Sequence, residues 1–101
     1  MSNKKKILLL EPYYGGSHKY WADNLVKFSK HQIFLKTLPA RFWKWRMKAS
    51  SITLFENSKE ELKSVDSVIC SSLMDVSMFK SLVDLYLNKR PPIITIYMRI
   101  N

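Results

Sequence analysis

Ile7-Leu8-Leu9-Leu10-Glu11-Pro12-Tyr13-Tyr14-Gly15-Gly16-Ser17-His18-Lys19 is the stretch that decides the fold. Four consecutive apolar residues behind a lysine cluster leave no face for water. They read as a strand buried on both sides, the mark of a parallel sheet. Pro12, Gly15 and Gly16 then predict a loop. Ser17 is placed to cap a helix reaching about residue 29. The apolar stripe of that helix is expected at Trp21, Leu25 and Phe28, spaced i, i+4 and i+7.

The same alternation continues outward from this unit. Ile33 to Leu38 reads as a second strand, ended by Pro39. Arg41 to Leu54 reads as a helix, although Trp43 to Lys48 alternates as an extended segment would. Ser58 to Lys63 reads as a short polar helix with Ser58 and Glu61 at capping-box spacing. Ser67 to Cys70 is a third buried strand. Asp75 or Ser77 caps a further helix whose apolar positions are Phe79, Leu82, Val83 and Tyr86. Pro91 and Pro92 stop it, and Ile93 to Tyr97 is a fourth strand. The order β-α-β-α-β-α-β predicts an α/β, Rossmann-like parallel sheet with helices on both faces. Such sheets bind ligands at the carboxyl ends of their strands, near a topological switch point.

The chain has 101 residues, one small domain, and 47% of them are hydrophobic, ample for a core. Its net charge is +9 and all of it lies in front. Residues 1–48 hold eleven Lys or Arg against two acids, whereas residues 49–101 hold six against six. A field of that kind attracts polyanions, unless it is only a solvated basic face. Cys70 is the one cysteine, so neither a disulfide framework nor a Cys-rich zinc site can be built. The apolar run Ile7 to Leu10 is too short for a signal peptide or a membrane span, which sets the cytoplasm as the expected location.

Two constellations could carry chemistry. In the first, Gly15 and Gly16 allow close backbone approach to a ligand, and Ser17, His18 and Lys19 stand in the first helical turn, where an anion is favoured. A plain strand-to-helix turn with a serine cap is the other reading. In the second, Arg41, Phe42, Trp43, Lys44, Trp45 and Arg46 interleave aromatics with cations. Such rings stack on bases or sugars while the cations neutralise phosphate. A core helix with snorkelling cations, or a helix lying on a membrane surface, would use the same composition. His31 and Cys70 stand alone, no acid has metal-ligand spacing, and no catalytic residue can be named. No metal or cofactor is expected.

Taken together, Ile7 to Lys19 and Thr37-Leu38-Pro39-Ala40-Arg41-Phe42-Trp43-Lys44-Trp45-Arg46 resemble the start of the tRNA-queuosine alpha-mannosyltransferases. Ser71-Ser72-Leu73-Met74-Asp75 extends the likeness over essentially the whole chain. The resemblance implies a GT-B glycosyltransferase of two Rossmann-like domains. It implies mannose transfer from GDP-mannose to queuosine in the anticodon of an aspartate tRNA. The N-terminal domain of such a fold faces the acceptor, and the C-terminal domain holds the nucleotide sugar. Gly15, Gly16, Ser17, His18 and Lys19 would then line the cleft. Arg41, Trp43, Lys44, Trp45 and Arg46 would meet the acceptor.

Where the family pattern continues Tyr-Phe-His-Glu-Asn, this sequence reads Tyr97-Met98-Arg99-Ile100-Asn101. The expectation is that residues 1–101 form a partial, acceptor-side N-terminal domain without its donor domain, the product of a truncated or frame-disrupted gene and inactive alone. A small basic RNA-binding module without enzymatic activity is the alternative.

Overall fold

Leu8, Leu9 and Leu10 are each fully buried, as a strand with no polar face requires. Burial of each such side chain contributes about 1.5–3 kcal/mol. They form the centre of β1 (Lys6–Tyr14) in a computed structural model that describes residues 4–39, 43–71 and 74–96, the side chains of 43–48 excepted. The chain continues through α1 (Gly16–Phe28), β2 (Gln32–Pro39), α2 (Trp43–Asn57), α3 (Lys59–Leu62), β3 (Ser67–Ser71), α4 (Val76–Tyr86) and β4 (Ile93–Ile96). The strands form one sheet in the order β2-β1-β3-β4, and every neighbouring pair is parallel.

Strand alternation sorts the core onto two faces. Leu8, Leu10, Val68 and Cys70 join Leu54, Phe55, Leu62, Phe79 and Val83 in one buried cluster beneath α2, α3 and α4. The Phe55 ring meets Phe79 and Tyr86 edge-on, with centroids at 6.3 and 5.7 Å. Leu9 and Glu11 point the other way, toward α1, whose buried residues are His18 and Ala22. Right-handed crossovers demand this division, because β1 to β2 runs in the opposite direction across the sheet from β2 to β3. The α/β sheet with helices on both faces is therefore the architecture observed.

Local details depart from expectation at four places. β1 does not end at Pro12 but runs on to Tyr14. The pairing with β2 shifts register between Glu11 and Tyr14, so the missing proline N–H is no loss there. Ser17 does not cap α1: the N-cap is Gly15, with no side-chain bond, and Ser17 is exposed in the first turn. Phe28 is 73% exposed, because the buried stripe of α1 runs through His18 and Ala22 instead. Ser58 stands at the N-cap of α3 but its hydroxyl donates back to the Leu54 carbonyl, so no capping box forms.

Three other readings hold. Asp75, not Ser77, caps α4 by accepting from the Met78 N–H at 3.0 Å. Residues 43–57 are helical rather than extended. On α4, Phe79 and Val83 are fully buried while Leu82 and Tyr86 lie against the same cluster. On the opposite face, Ile94 of β4 is 48% exposed, since α1 lies over β1 and β2.

Candidate functional site

The reversal of crossover direction falls between β1 and β3, and the residues at their carboxyl ends meet there. Glu11 of β1 is fully buried at this point. Its Oε2 accepts from the Tyr13 backbone N–H at 2.9 Å and from the Ser71 hydroxyl of β3 at 3.1 Å. Its Oε1 lies 3.0 Å from His18 Nδ1, in the first turn of α1. One carboxylate thus ties two strand ends to a helix start. A polar group buried inside the sheet is tolerable because each oxygen has a hydrogen-bond partner.

His18 is 1% exposed, and the Tyr13 ring meets its imidazole edge-on at 5.8 Å. Its other ring nitrogen, Nε2, is buried without a hydrogen-bond partner among the described residues. Gly16 enters the helix at φ +55°, a conformation glycine adopts without strain, while Gly15 is extended at φ −166°.

Beside this centre lies a second, wetter cluster. Asp23 accepts from the Tyr14 hydroxyl and pairs with Lys19 Nζ at 2.8 Å. Lys19 holds the Asp23 carboxyl below its usual range, and Asp23 in turn raises both Tyr14 and Lys19 above theirs. The Lys19 ammonium, 5.2 Å above the Tyr14 ring, therefore already has a counter-charge.

Of the residues the sequence singled out, Gly15, Gly16, Ser17, His18 and Lys19 do come together at the strand-to-helix junction. Arg41 and Phe42 lie outside the described residues, as do the side chains of Trp43, Lys44, Trp45 and Arg46; the backbone of the last four opens α2. Sequence reasoning quoted Glu11, Tyr13 and Ser71 within its motifs but gave them no role. The available signal was an acid set directly against four apolar residues, with a histidine seven positions later. His31 is structural: its Nδ1 accepts from the Lys5 N–H at 3.0 Å. Cys70 is buried, and its thiol is pushed up to about 12 by that burial. Among the described residues no group of three His, Cys, Asp or Glu could hold a metal ion. No helix among them is long and apolar enough to cross a membrane.

The comparisons with known proteins agree with one another. A tRNA-queuosine alpha-mannosyltransferase of Drosophila melanogaster is 42% identical over 52 residues, which cover 48% of this chain. The match covers only 13% of that relative's length. No solved structure matches the chain. The family described as tRNA-queuosine alpha-mannosyltransferase N-terminal matches residues 6–99, from the first strand through the fourth and across the whole Glu11–His18–Ser71 centre. A match of that extent decides the matter, and the chain belongs to the tRNA-queuosine alpha-mannosyltransferase N-terminal family.

Proposed function

We propose that this chain forms the acceptor-facing part of a GT-B glycosyltransferase that moves mannose from GDP-mannose to queuosine in the anticodon of an aspartate tRNA. The observation that carries the reading is the family match over residues 6–99. The position of the Glu11–His18–Ser71 centre supports it, since open parallel sheets take ligands outside the carboxyl ends of their strands, at the switch point. The charge distribution supports it too. The excess of Lys and Arg in residues 1–48 suits a polyanionic acceptor.

In this reading Gly15, Gly16, Ser17 and His18 line the cleft, with Lys19 at its rim. Arg41, Trp43, Lys44, Trp45 and Arg46 meet the tRNA, cations on phosphate and rings on bases. Residues 1–101 then belong to one N-terminal, Rossmann-like domain, and the nucleotide sugar is held by a second domain. The work of the present residues is to bind and orient the acceptor hydroxyl, and the proposed location is the cytoplasm. The test is binding of aspartate tRNA with and without queuosine, measured at one salt concentration. The queuosine-bearing tRNA is expected to bind more tightly. Equal affinity for the two would remove the acceptor-side reading.

A further inference from the structure

We infer that Glu11 holds His18 in the Nδ1–H tautomer, so that the Nε2 lone pair is the receiving end of a hydroxyl-binding site between the carboxyl ends of β1 and β3. The Glu11 carboxyl is contacted on both oxygens. Tyr13 N–H at 2.9 Å and Ser71 O–H at 3.1 Å occupy Oε2, and His18 Nδ1 faces Oε1 at 3.0 Å. An ionised carboxylate cannot donate, so Nδ1 carries the proton, and in a neutral imidazole Nε2 is then an acceptor. His31 is the opposite case in the same chain. Its Nδ1 accepts from the Lys5 N–H, which leaves the proton on Nε2.

The His18 Nε2 is buried and has no partner among the described residues. A buried, unmatched lone pair costs free energy that an arriving donor recovers. Charge selects the donor. The Glu11 carboxylate stands directly behind the imidazole, and the neighbouring Lys19 cation is engaged by Asp23. An anion would face that carboxylate across one ring, whereas a neutral O–H donor meets no such repulsion. The ligand group is therefore a neutral hydroxyl. Glu11 is a positioning residue, acting through His18. The inference deepens the proposed function and rests on it for the choice of probes; the tautomer stands or falls on its own.

The experiment is long-range proton–nitrogen NMR of the histidine-labelled chain at mildly alkaline pH. His18 is expected to show a protonated Nδ1 and a bare, pyridine-type Nε2, with His31 reversed. Queuosine nucleoside is titrated in one arm and methyl α-mannoside in the other. The compound whose hydroxyl binds moves the His18 Nε2 resonance away from its pyridine-type position and leaves His31 unchanged. A protonated His18 Nε2 in the free chain overturns the inference. So does an Nε2 resonance that neither compound moves up to its solubility limit.

Glu11→Gln supplies the readout that a purely structural role does not give. The amide oxygen must face Tyr13 N–H and Ser71, which turns its NH₂ toward Nδ1 and moves the imidazole proton to Nε2, the wrong-tautomer effect of an acid-to-amide change. The expected result is an inverted His18 tautomer with ligand binding weakened about tenfold. An unchanged tautomer in a folded Glu11→Gln chain removes Glu11 from the role. Should that variant not fold, the tautomer and titration of the unaltered chain decide.

Discussion

The Ser71 hydroxyl lies 3.1 Å from Glu11 Oε2, although sixty residues separate the two in sequence. The bond joins the carboxyl ends of β1 and β3 on the face where α1 starts. It leaves Glu11 as the hub and Ser71 as one of its spokes, and the two should not be equivalent. Ser71→Ala removes one donor while Tyr13 and His18 still satisfy the carboxylate, so it should cost about 1 kcal/mol. Glu11→Ala strands His18 Nδ1 and the Ser71 hydroxyl in the interior and should cost about 3 kcal/mol or more. Urea unfolding of both variants measures the difference. Equal losses would mean that Glu11 is no hub.

Gly15 and Gly16 look alike in sequence but carry different loads. Gly16 has φ +55°, and a Cβ built there meets nothing within 4 Å. The penalty for Gly16→Ala is therefore purely conformational, about 1 kcal/mol, and Gly16→Asn should cost less. Gly15 is extended, a backbone any residue adopts, so Gly15→Ala should cost less than Gly16→Ala, read as the shift in urea midpoint. Loss of stability at Gly15 and not at Gly16 would contradict this assignment.

Cys70 should be silent toward thiol reagents in the folded chain at neutral pH. Burial raises its thiol from 9.0 to about 12, and the thiolate is the reactive form. Labelling with a chromogenic disulfide should follow unfolding. The pH consequence has a definite sign. The folded-state value is raised, so the contribution is fully present below pH 9.0 and is lost as pH rises toward 12. Stability should fall across that window in the parent and fall less steeply in Cys70→Ala. Rapid labelling of folded protein at neutral pH would rule out the buried neutral thiol.

If the start of α2 meets tRNA phosphate, replacing Lys44 and Arg46 by Ala should flatten the dependence of log Kd on log salt. The expected change is about one unit per lost contact, since each neutralised phosphate releases counterions. Trp45→Ala should instead weaken binding by about 1–3 kcal/mol with little change in slope if the ring stacks on a base. Filter binding over a salt series, beside a thermal melt of each variant, measures both effects. An unaltered slope in the Lys44→Ala/Arg46→Ala chain would take the segment out of the interface.

How much of this was legible in the sequence differs from residue to residue. Leu8, Leu9 and Leu10 announced a two-sided strand because an unbroken apolar run admits no other arrangement in water. The Asp75 cap was equally readable, being a local effect of backbone chemistry, whereas α4 ends at Tyr86 before Pro91 and Pro92 could stop it. Phe28 was misread because helical spacing gives the positions that share a face but not which face meets the sheet. The orientation of α1 was fixed by His18 reaching Glu11, which turned Phe28 to solvent.

The site divides along the same line. The Gly15–Gly16 turn and His18 could be found from spacing, since they follow one another in the chain. Glu11 was in view, but local pattern gave it no role. Its role depends on Ser71, and that pairing exists only once β3 lies beside β1. The sequence by itself determined the alternation of elements, the parallel sheet and the family, because these follow from local pattern and from motifs read in order. Only the tertiary structure decided that a buried carboxylate, a hydroxyl sixty residues away and a histidine on the next helix form one centre. Hydrogen bonds between distant strands depend on sheet order, and sheet order leaves no periodic mark in the chain.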